Sequence, residues 1–487
     1  MKYSTEIDCT TACKRRIIIP NCTLIKKPRS IQLKSLFTKG QAAADKIWNS
    51  RYFLPALLLI AVAALLTDTN LACMFIYVLI IVLLLIFSDD IMSIVAPVFF
   101  ILLMSVKYYL DFSVLTDYMW YAIVPVALAV LFNLVYYRRP FTRGKFTYPL
   151  AAVTVALLLG GCGVISAKEY FSAVSLYYTL GLGLAMLVLY TIIHSRLANE
   201  RKYVRTERLA EIMYAAGILF SLIIIAFYIA NFQKFLDRGS VLYYKPRNYA
   251  TSVFLMCIPM GCLLVKRSNL YLIGMALMYA AMILAGSRSG LLFGTLLLAV
   301  CAVYIYINNK NSRRLYRWIM LVLAIPACYF AVKYIPALYS SRLVDGNFIS
   351  SGETRVDYIR LGIENFLGNP VFGIGIGNLK DLEVFKAIVP GSIVFYHNMI
   401  IQVISSMGLL GIATYGWHFA LRAGLILKNR RIDSFAVFGL SYLGILMMSL
   451  TNPGIFCPFP EAGLLVLIFA LLEKESENTK NILEEEK

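Results

Sequence analysis

Apolar stretches about as long as a membrane is thick recur along the whole chain. A helix needs about 20 apolar residues to cross the hydrocarbon of a bilayer. None of the stretches shows the alternation of apolar and polar residues typical of a membrane β-barrel strand. The pattern therefore predicts an all-α, polytopic transmembrane helix bundle of about 12–14 spans. The stretches are 53–67, 70–87, 91–106, 119–137, 147–166, 172–193, 209–232, 250–265, 270–286, 289–307, 318–335, 398–427, 433–451 and 461–472.

One long connection, 336–397, interrupts this pattern, and loops of such length in a compact bundle are usually functional. Its part SSGETRVDYIRLGIENFLGNP has the periodicity of an amphipathic helix. Ser351 is expected to cap the start of this helix and Gly368 to end it. We expect the helix to lie along the outer membrane surface and to cover the bundle. Its predicted apolar face consists of Val356, Ile359, Ile363, Phe366 and Leu367.

Composition supports a membrane protein. Of the 487 residues, 60% are hydrophobic and only 15% charged, whereas a soluble domain has about 45–50% apolar and about 25% charged residues. The net charge of +19 could suggest a nucleic-acid partner, but its placement explains it as membrane topology, because basic residues are concentrated in cytoplasmic loops. With the N-terminus inside, the loops predicted to be cytoplasmic are all basic: 138–145, 194–208, 266–269, 308–317 and 428–431.

The alternation of basic inner loops with outer connections along the chain predicts that both termini lie in the cytoplasm. The chain is predicted to consist of five parts. A basic cytoplasmic tail comes first, and its Cys9, Cys13 and Cys22 lack the paired spacing and the histidine of a zinc site. Four further parts follow: N-terminal transmembrane helices, a core with the outer loop, C-terminal transmembrane helices and an acidic, solvated cytoplasmic tail. The predicted boundaries are 1–50, 51–208, 209–427, 428–472 and 473–487.

Arg288 is the one charge between Leu270 and Ile307, within AGSRSGLLFG. A guanidinium in hydrocarbon costs about 2.5–3.5 kcal/mol on the mildest scale, so the tip of a hairpin between two spans is the expected place for it. There it either snorkels to lipid headgroups or forms an anion site. The small neighbours Gly286, Ser287, Ser289 and Gly290 favour the anion site, because they permit a tight turn.

His397 opens a span at the outer interface, within FYHNMIIQ. One interpretation is an ordinary interfacial histidine. The other is a general base, since its unperturbed pKa of about 6.5 suits proton transfer near neutral pH. Of the three histidines, only His397 faces the outer arginines in the predicted topology.

Three stretches together resemble the O-antigen ligase and O-antigen polymerase superfamily, which are bacterial membrane glycosyltransferases of the GT-C type. They are DRGSVLYYKPRNYATSVFLMCIP, the SRSG hairpin, and TRVDYIRLGIENFLGNPVFGIGIGN with the later His397-Asn398 pair. The family usually has Asn-Pro-Asn where this sequence has Pro246-Arg247-Asn248, so both Arg238 and Arg247 remain candidates for the functional loop arginine.

The resemblance implies an inverting transfer of a polyprenyl-diphosphate-linked glycan to a glycan, lipid or protein acceptor. It assigns His397 and Arg288 to catalysis, and it implies no metal, no cofactor and no nucleic-acid partner. The implied location is the bacterial inner membrane, with the reaction on the extracytoplasmic face. The residues expected to bind the diphosphate are Arg238, Arg247, Arg288, Arg355 and Asn398.

The alternative function is a transporter or flippase for an anionic lipid-linked glycan or solute. Such a protein is expected to carry an internal repeat and polar groups near the middle of the membrane. The sequence shows no repeat, and its unusual charges lie at one predicted surface.

Overall fold

The computed structural model describes residues 29–105, 112–168, 171, 173–197, 205–231, 247–309, 347–376, 395–452 and 459–485. Over these residues the secondary structure is entirely helical, as predicted. The first half contains α1 to α9: Arg29–Trp48, Phe53–Thr67, Asn70–Phe87, Met92–Ser105, Phe112–Tyr137, Thr147–Ala156, Ala173–Thr179, Met186–Leu197 and Arg205–Ala230. The second half contains α10 to α17: Arg247–Cys257, Met260–Leu264, Tyr271–Ala285, Arg288–Asn308, Asn347–Gly368, Met399–Lys428, Asp433–Ser449 and Phe459–Glu485.

Six helical stretches are long and apolar enough to cross a membrane: Asn70–Phe87, Trp120–Tyr137, Ser175–Leu197, Arg205–Ala230, Ser289–Asn308 and Met399–Lys428. Ser175–Leu197 includes most of α7, a π-helical segment (Leu180–Ala185) and α8. The pair α1 and α2, bent by 76°, makes a seventh if it counts as one span. Four shorter apolar helices add to the bundle. The prediction of a polytopic helical bundle is therefore confirmed. The predicted stretch 318–335 lies outside the described residues.

Two predicted tails are partly helical. Residues 29–48 of the predicted basic tail form α1, and α17 continues through the predicted boundary at 472 as far as Glu485. Glu473 is fully buried and Ser476 nearly so. The expectation that the acidic segment is solvated from residue 473 onward is therefore wrong, because its first turns pack inside the bundle.

The amphipathic helix is present as α14, but two details of its prediction are wrong. It begins at Asn347, so Ser351 lies inside it rather than capping it. Val356 is 58% exposed and Tyr358 4% exposed, so the predicted apolar face points away from the bundle. Tyr358 packs against Tyr396, near Leu361 and Ile401. The face with the Tyr358 ring therefore packs on the bundle, and the aliphatic face is exposed.

A break in α15 lets the glycine-rich segment after α14 enter the bundle. Gly408 has φ 60° and ψ −149°, which interrupts the helix. The N–H groups of Ile374 and Gly375 donate to the carbonyls of Ser405 (2.9 Å) and Ser406 (3.1 Å). The N–H of Leu409 donates to the carbonyl of Pro370 (2.8 Å). Backbone groups freed by the break are thus satisfied by the inserted loop. Gly373 (φ 69°) and Gly375 (φ 95°) therefore let the chain turn and pack closely against α15.

Candidate active site

The start of α15 is held by Asn398. Its side-chain oxygen accepts hydrogen bonds from the backbone N–H groups of Ile400 (2.9 Å) and Ile401 (3.1 Å), which is an N-cap. Its amide nitrogen donates to the carbonyl oxygen of Leu450 (3.1 Å). Asn398 therefore joins the start of α15 to the end of α16 and fixes the backbone next to His397. Its oxygen is engaged in capping, which differs from the predicted contact with a diphosphate.

His397 itself has an unusual backbone conformation. Its φ of 53° lies in the left-handed region, which costs an ordinary residue on the order of 1–3 kcal/mol. The preceding residue anchors it: the Tyr396 N–H donates to Gln402 Oε1 (3.1 Å). Tyr396 Oη also makes hydrogen bonds to Asn365 Nδ2 (2.8 Å) and Ser405 Oγ (2.7 Å). Strained conformations of this kind persist where many surrounding contacts hold the backbone in place, and they are concentrated at functional sites.

The imidazole of His397 makes one hydrogen bond that decides its chemistry. Nδ1 lies 3.1 Å from Asn452 Oδ1. An amide oxygen can only accept, so Nδ1 carries the hydrogen and Nε2 carries the lone pair. In this orientation the same oxygen of Asn452 accepts a second hydrogen bond, from Asn248 Nδ2 at 3.2 Å. The pair of contacts therefore presents Nε2 of His397 as a base.

This hydrogen-bond network extends to the SRSG turn. The hydroxyl of Ser287 donates to Asn248 Oδ1 (3.0 Å) and accepts from the backbone N–H of Gly290 (3.3 Å), which makes Ser287 the N-cap of α13. Arg288 is the first residue of α13 and Arg247 the first residue of α10. The network thus brings together the starts of α10 and α13 with His397. Arg238 lies outside the described residues.

The two helix starts are close because the turn contains small residues. Gly286 ends α12 with φ 74°, a conformation that glycine adopts without strain. A Cβ at Gly290 would overlap the side chain of Thr251 in α10. The predicted role of these glycines in a tight turn is therefore confirmed. Each helix N-terminus also contributes partial positive charge at this end of the bundle, where a diphosphate would be attracted.

Helix α14 contributes the remaining neighbours of His397. The Tyr358 ring packs edge-on against the imidazole, with 5.5 Å between ring centroids. Burial lowers the pKa of His397 below its ordinary value of 6.5; the hydrogen bond to Asn452 opposes this, and the positive charge of Arg355 adds to it. Arg355, although exposed, therefore lies near enough to act electrostatically on the proposed base.

Arg355→Gln is expected to raise the pKa of His397, because it removes a positive charge that disfavours the imidazolium. A base with a lowered pKa stays deprotonated to lower pH, so activity falls only when the pH drops below that pKa. In the variant, the acidic limb of the kcat/KM profile should therefore move to higher pH. Arg360→Gln, on the same helix, is the matched control and should leave the limb in place. An unshifted limb in Arg355→Gln would show that this charge does not act on the base.

Asn452 and Tyr358 are site residues that were not predicted from the sequence. Asn452 is 8% exposed and central to the network, but a single asparagine between two predicted spans does not indicate a site. The Asn452-Pro453 dipeptide is a turn signal that marks this connection. Tyr358 was overlooked because the aliphatic spacing of α14 indicated a different buried face.

Comparison with known families agrees with this geometry. Residues 273–416 match the family model described as O-antigen ligase. The match begins in α12 and includes the SRSG turn, α14, His397 and the break in α15. No curated protein matches the chain. The first of the three quoted stretches lies before the match, whereas the SRSG turn and the stretch from α14 to the His397-Asn398 pair lie inside it. The multi-pass bundle and the match together support one conclusion: this is a multi-pass membrane protein that is similar, over residues 273–416, to the O-antigen ligase family.

Proposed function

We propose that the protein is an inverting glycosyltransferase of the bacterial inner membrane that acts on a polyprenyl-diphosphate-linked oligosaccharide at the extracytoplasmic face. The observation that carries the proposal is the orientation of His397. Its Nδ1–H is bound to Asn452, and its Nε2 is left as a base where two helices that begin with arginine converge. A transporter for the same lipid has no need of a base held in one tautomer.

In the proposed reaction, Nε2 of His397 takes the proton of an acceptor hydroxyl while that oxygen attacks the anomeric carbon. The bond from this carbon to the diphosphate oxygen breaks, and its electron pair leaves with the polyprenyl diphosphate. Attack opposite the leaving group inverts the anomeric configuration. The proton held by His397 is then released, which regenerates the base.

The leaving diphosphate gains negative charge as the bond breaks, so stabilising it lowers the barrier. Arginine suits this role because its planar fork binds two phosphate oxygens and stays charged in a dry site. We assign Arg288 to this task, with Arg247 or Arg238 as its partner. The scheme requires no metal and no cofactor. Arg355 tunes the base and positions the donor, while Asn398, Asn452 and Asn248 hold the geometry.

Substitutions of Asn452 test whether this residue orients the imidazole of His397. Asn452→Ala removes the acceptor for Nδ1–H and is expected to lower transfer by about 10-fold to 100-fold, since His397 is no longer held in the reactive tautomer. In Asn452→Asp, the carboxylate stabilises the imidazolium and raises its pKa, so the acidic limb of the pH profile should move to higher pH.

The matched control is Asn429→Asp, at the far end of α15 beside Ser476. It should leave the profile unchanged. If Asn452→Asp also leaves it unchanged at full activity, His397 is not the base that Asn452 orients.

Ligase and polymerase activities differ in the acceptor, and the glycans of a strain lacking the protein distinguish them. Loss of long glycan chains would indicate a polymerase. Accumulation of unattached lipid-linked chains would indicate a ligase. Unchanged glycans in both respects would contradict the proposed function.

A further inference from the structure

A second polar cluster lies at the other end of α15, far from His397. The ring of His418, 21 positions after His397, packs against Phe146 at 5.9 Å between centroids. Along a straight helix this separation would be roughly 30 Å, and the break at Gly408 lies between the two histidines. Beside Phe146, residues of α8 and α17 meet: His194, Glu473 and Glu477. One ligand atom from each of these three lies within 4.8 Å of the other two.

His194 has a ring nitrogen that lacks a partner. The side chain is 1% exposed, and its Nε2 is buried and makes no hydrogen bond among the described residues. Its Nδ1 lies 2.8 Å from Thr142 Oγ1. In the tautomer whose Nδ1–H donates to that hydroxyl, Nε2 presents a buried lone pair toward the two carboxylates. Histidines that bind metals are usually oriented by such a bond from the other ring nitrogen.

The two carboxylates are held differently. Glu473 is fully buried and accepts hydrogen bonds from Tyr190 Oη (2.6 Å) and the backbone N–H of Lys145 (2.5 Å). Within the described part of the chain it makes no ion pair, so its charge lacks a cation at salt-bridge distance. Glu477 pairs with Lys474 at 3.1 Å. A buried carboxylate of this kind is costly unless a cation compensates it.

The backbone of residue 144 approaches His194 Nε2 closely, which is possible because this residue is glycine. A Cβ at Gly144 would stand 2.7 Å from Nε2 and would overlap Tyr190 Oη. An imidazole nitrogen with two carboxylate oxygens is a donor set that zinc and manganese accept, with a water completing the coordination. Ligand bonds of about 2.0–2.2 Å would draw these three ligand atoms closer together.

We propose that His194, Glu473 and Glu477 bind one divalent transition-metal ion that joins α8 to α17. The ion compensates the buried charge of Glu473 and ties both helices to the 138–146 connection through Thr142 and Lys145. Its role is structural, because the site is remote from His397, and the proposal is independent of the glycosyltransferase assignment.

Zinc content and thermal unfolding test this proposal. The full-length protein in detergent is stripped with a chelator, dialysed against buffered Zn²⁺, and measured for zinc per chain and unfolding midpoint. About one zinc per chain and a raised midpoint are expected. Both effects should be lost in His194→Ala and in Glu477→Gln, the latter chosen because Glu477 is less buried and its loss should spare the fold. Thr142→Val should weaken zinc binding about 10-fold or more.

The matched control is Glu475→Gln on the same helix, whose carboxylate faces Ser434 instead (2.8 Å). It should retain the zinc. Zinc below about one-tenth per chain in the wild type would overturn the proposal. Equal zinc in all variants would overturn it too, because the ion would then be bound elsewhere in the protein.

Discussion

His397→Ala is expected to lower glycan transfer by about 10²-fold or more, which is the range for loss of a general base. Alanine also fits poorly at φ 53°, so part of its effect could come from the backbone. His397→Asn separates the two causes, because asparagine tolerates the left-handed region. Asparagine has no basic nitrogen, so the same loss of transfer is expected while the thermal unfolding midpoint stays near that of the wild type.

Added imidazole supplies the missing base from solution and gives a further check. Transfer by His397→Ala should recover in part, and more so at pH values where imidazole is neutral. His397→Asn with wild-type transfer would remove His397 from the reaction. Rescue by imidazole at pH values where it is fully protonated would contradict its role as a base.

Arg288→Ala is expected to lower kcat for transfer by about 10²–10³-fold, the usual cost of removing one group that stabilises developing charge. The reason lies in its position, because it opens α13 directly after the cap that is bonded to Asn248. Arg288→Lys keeps the charge but loses the planar fork, so we expect it to recover only part of the activity. Kinetics with a defined lipid-diphosphate donor measure both variants.

Arg360→Ala is the matched control for Arg288→Ala, since it removes an exposed guanidinium from α14 and should retain transfer. If Arg288 only snorkels to lipid headgroups, both variants should behave alike. A loss confined to KM would mean that Arg288 binds the donor equally in the ground and transition states.

The hydrophobic pattern predicted the helical bundle well because each span is an independent run of apolar residues. Helix ends were less predictable where tertiary contacts decide them. Glu473 is buried within α17 through bonds to Tyr190 and Lys145, which lie more than 280 positions away. A pattern-based prediction places a charged residue near a terminus in solvent, because the sequence does not reveal its distant hydrogen-bond partners.

Arg288 and His397 were singled out as candidates because each stands beside long apolar segments, and Arg247 because of the family resemblance. The network around them was not predictable, since Asn248, Ser287 and Asn452 are ordinary polar residues in three separate parts of the chain. The buried face of α14 was misassigned for a related reason. In a membrane, aliphatic residues can face lipid, so apolar spacing does not identify the side that packs on protein.

The most direct test reconstitutes the purified full-length protein in vesicles with a polyprenyl-diphosphate-linked oligosaccharide and an acceptor glycan. The account predicts a covalent product of inverted anomeric configuration, with one polyprenyl diphosphate released for each glycan transferred, and loss of both in His397→Asn. Movement of intact donor across the bilayer without any covalent product would contradict it.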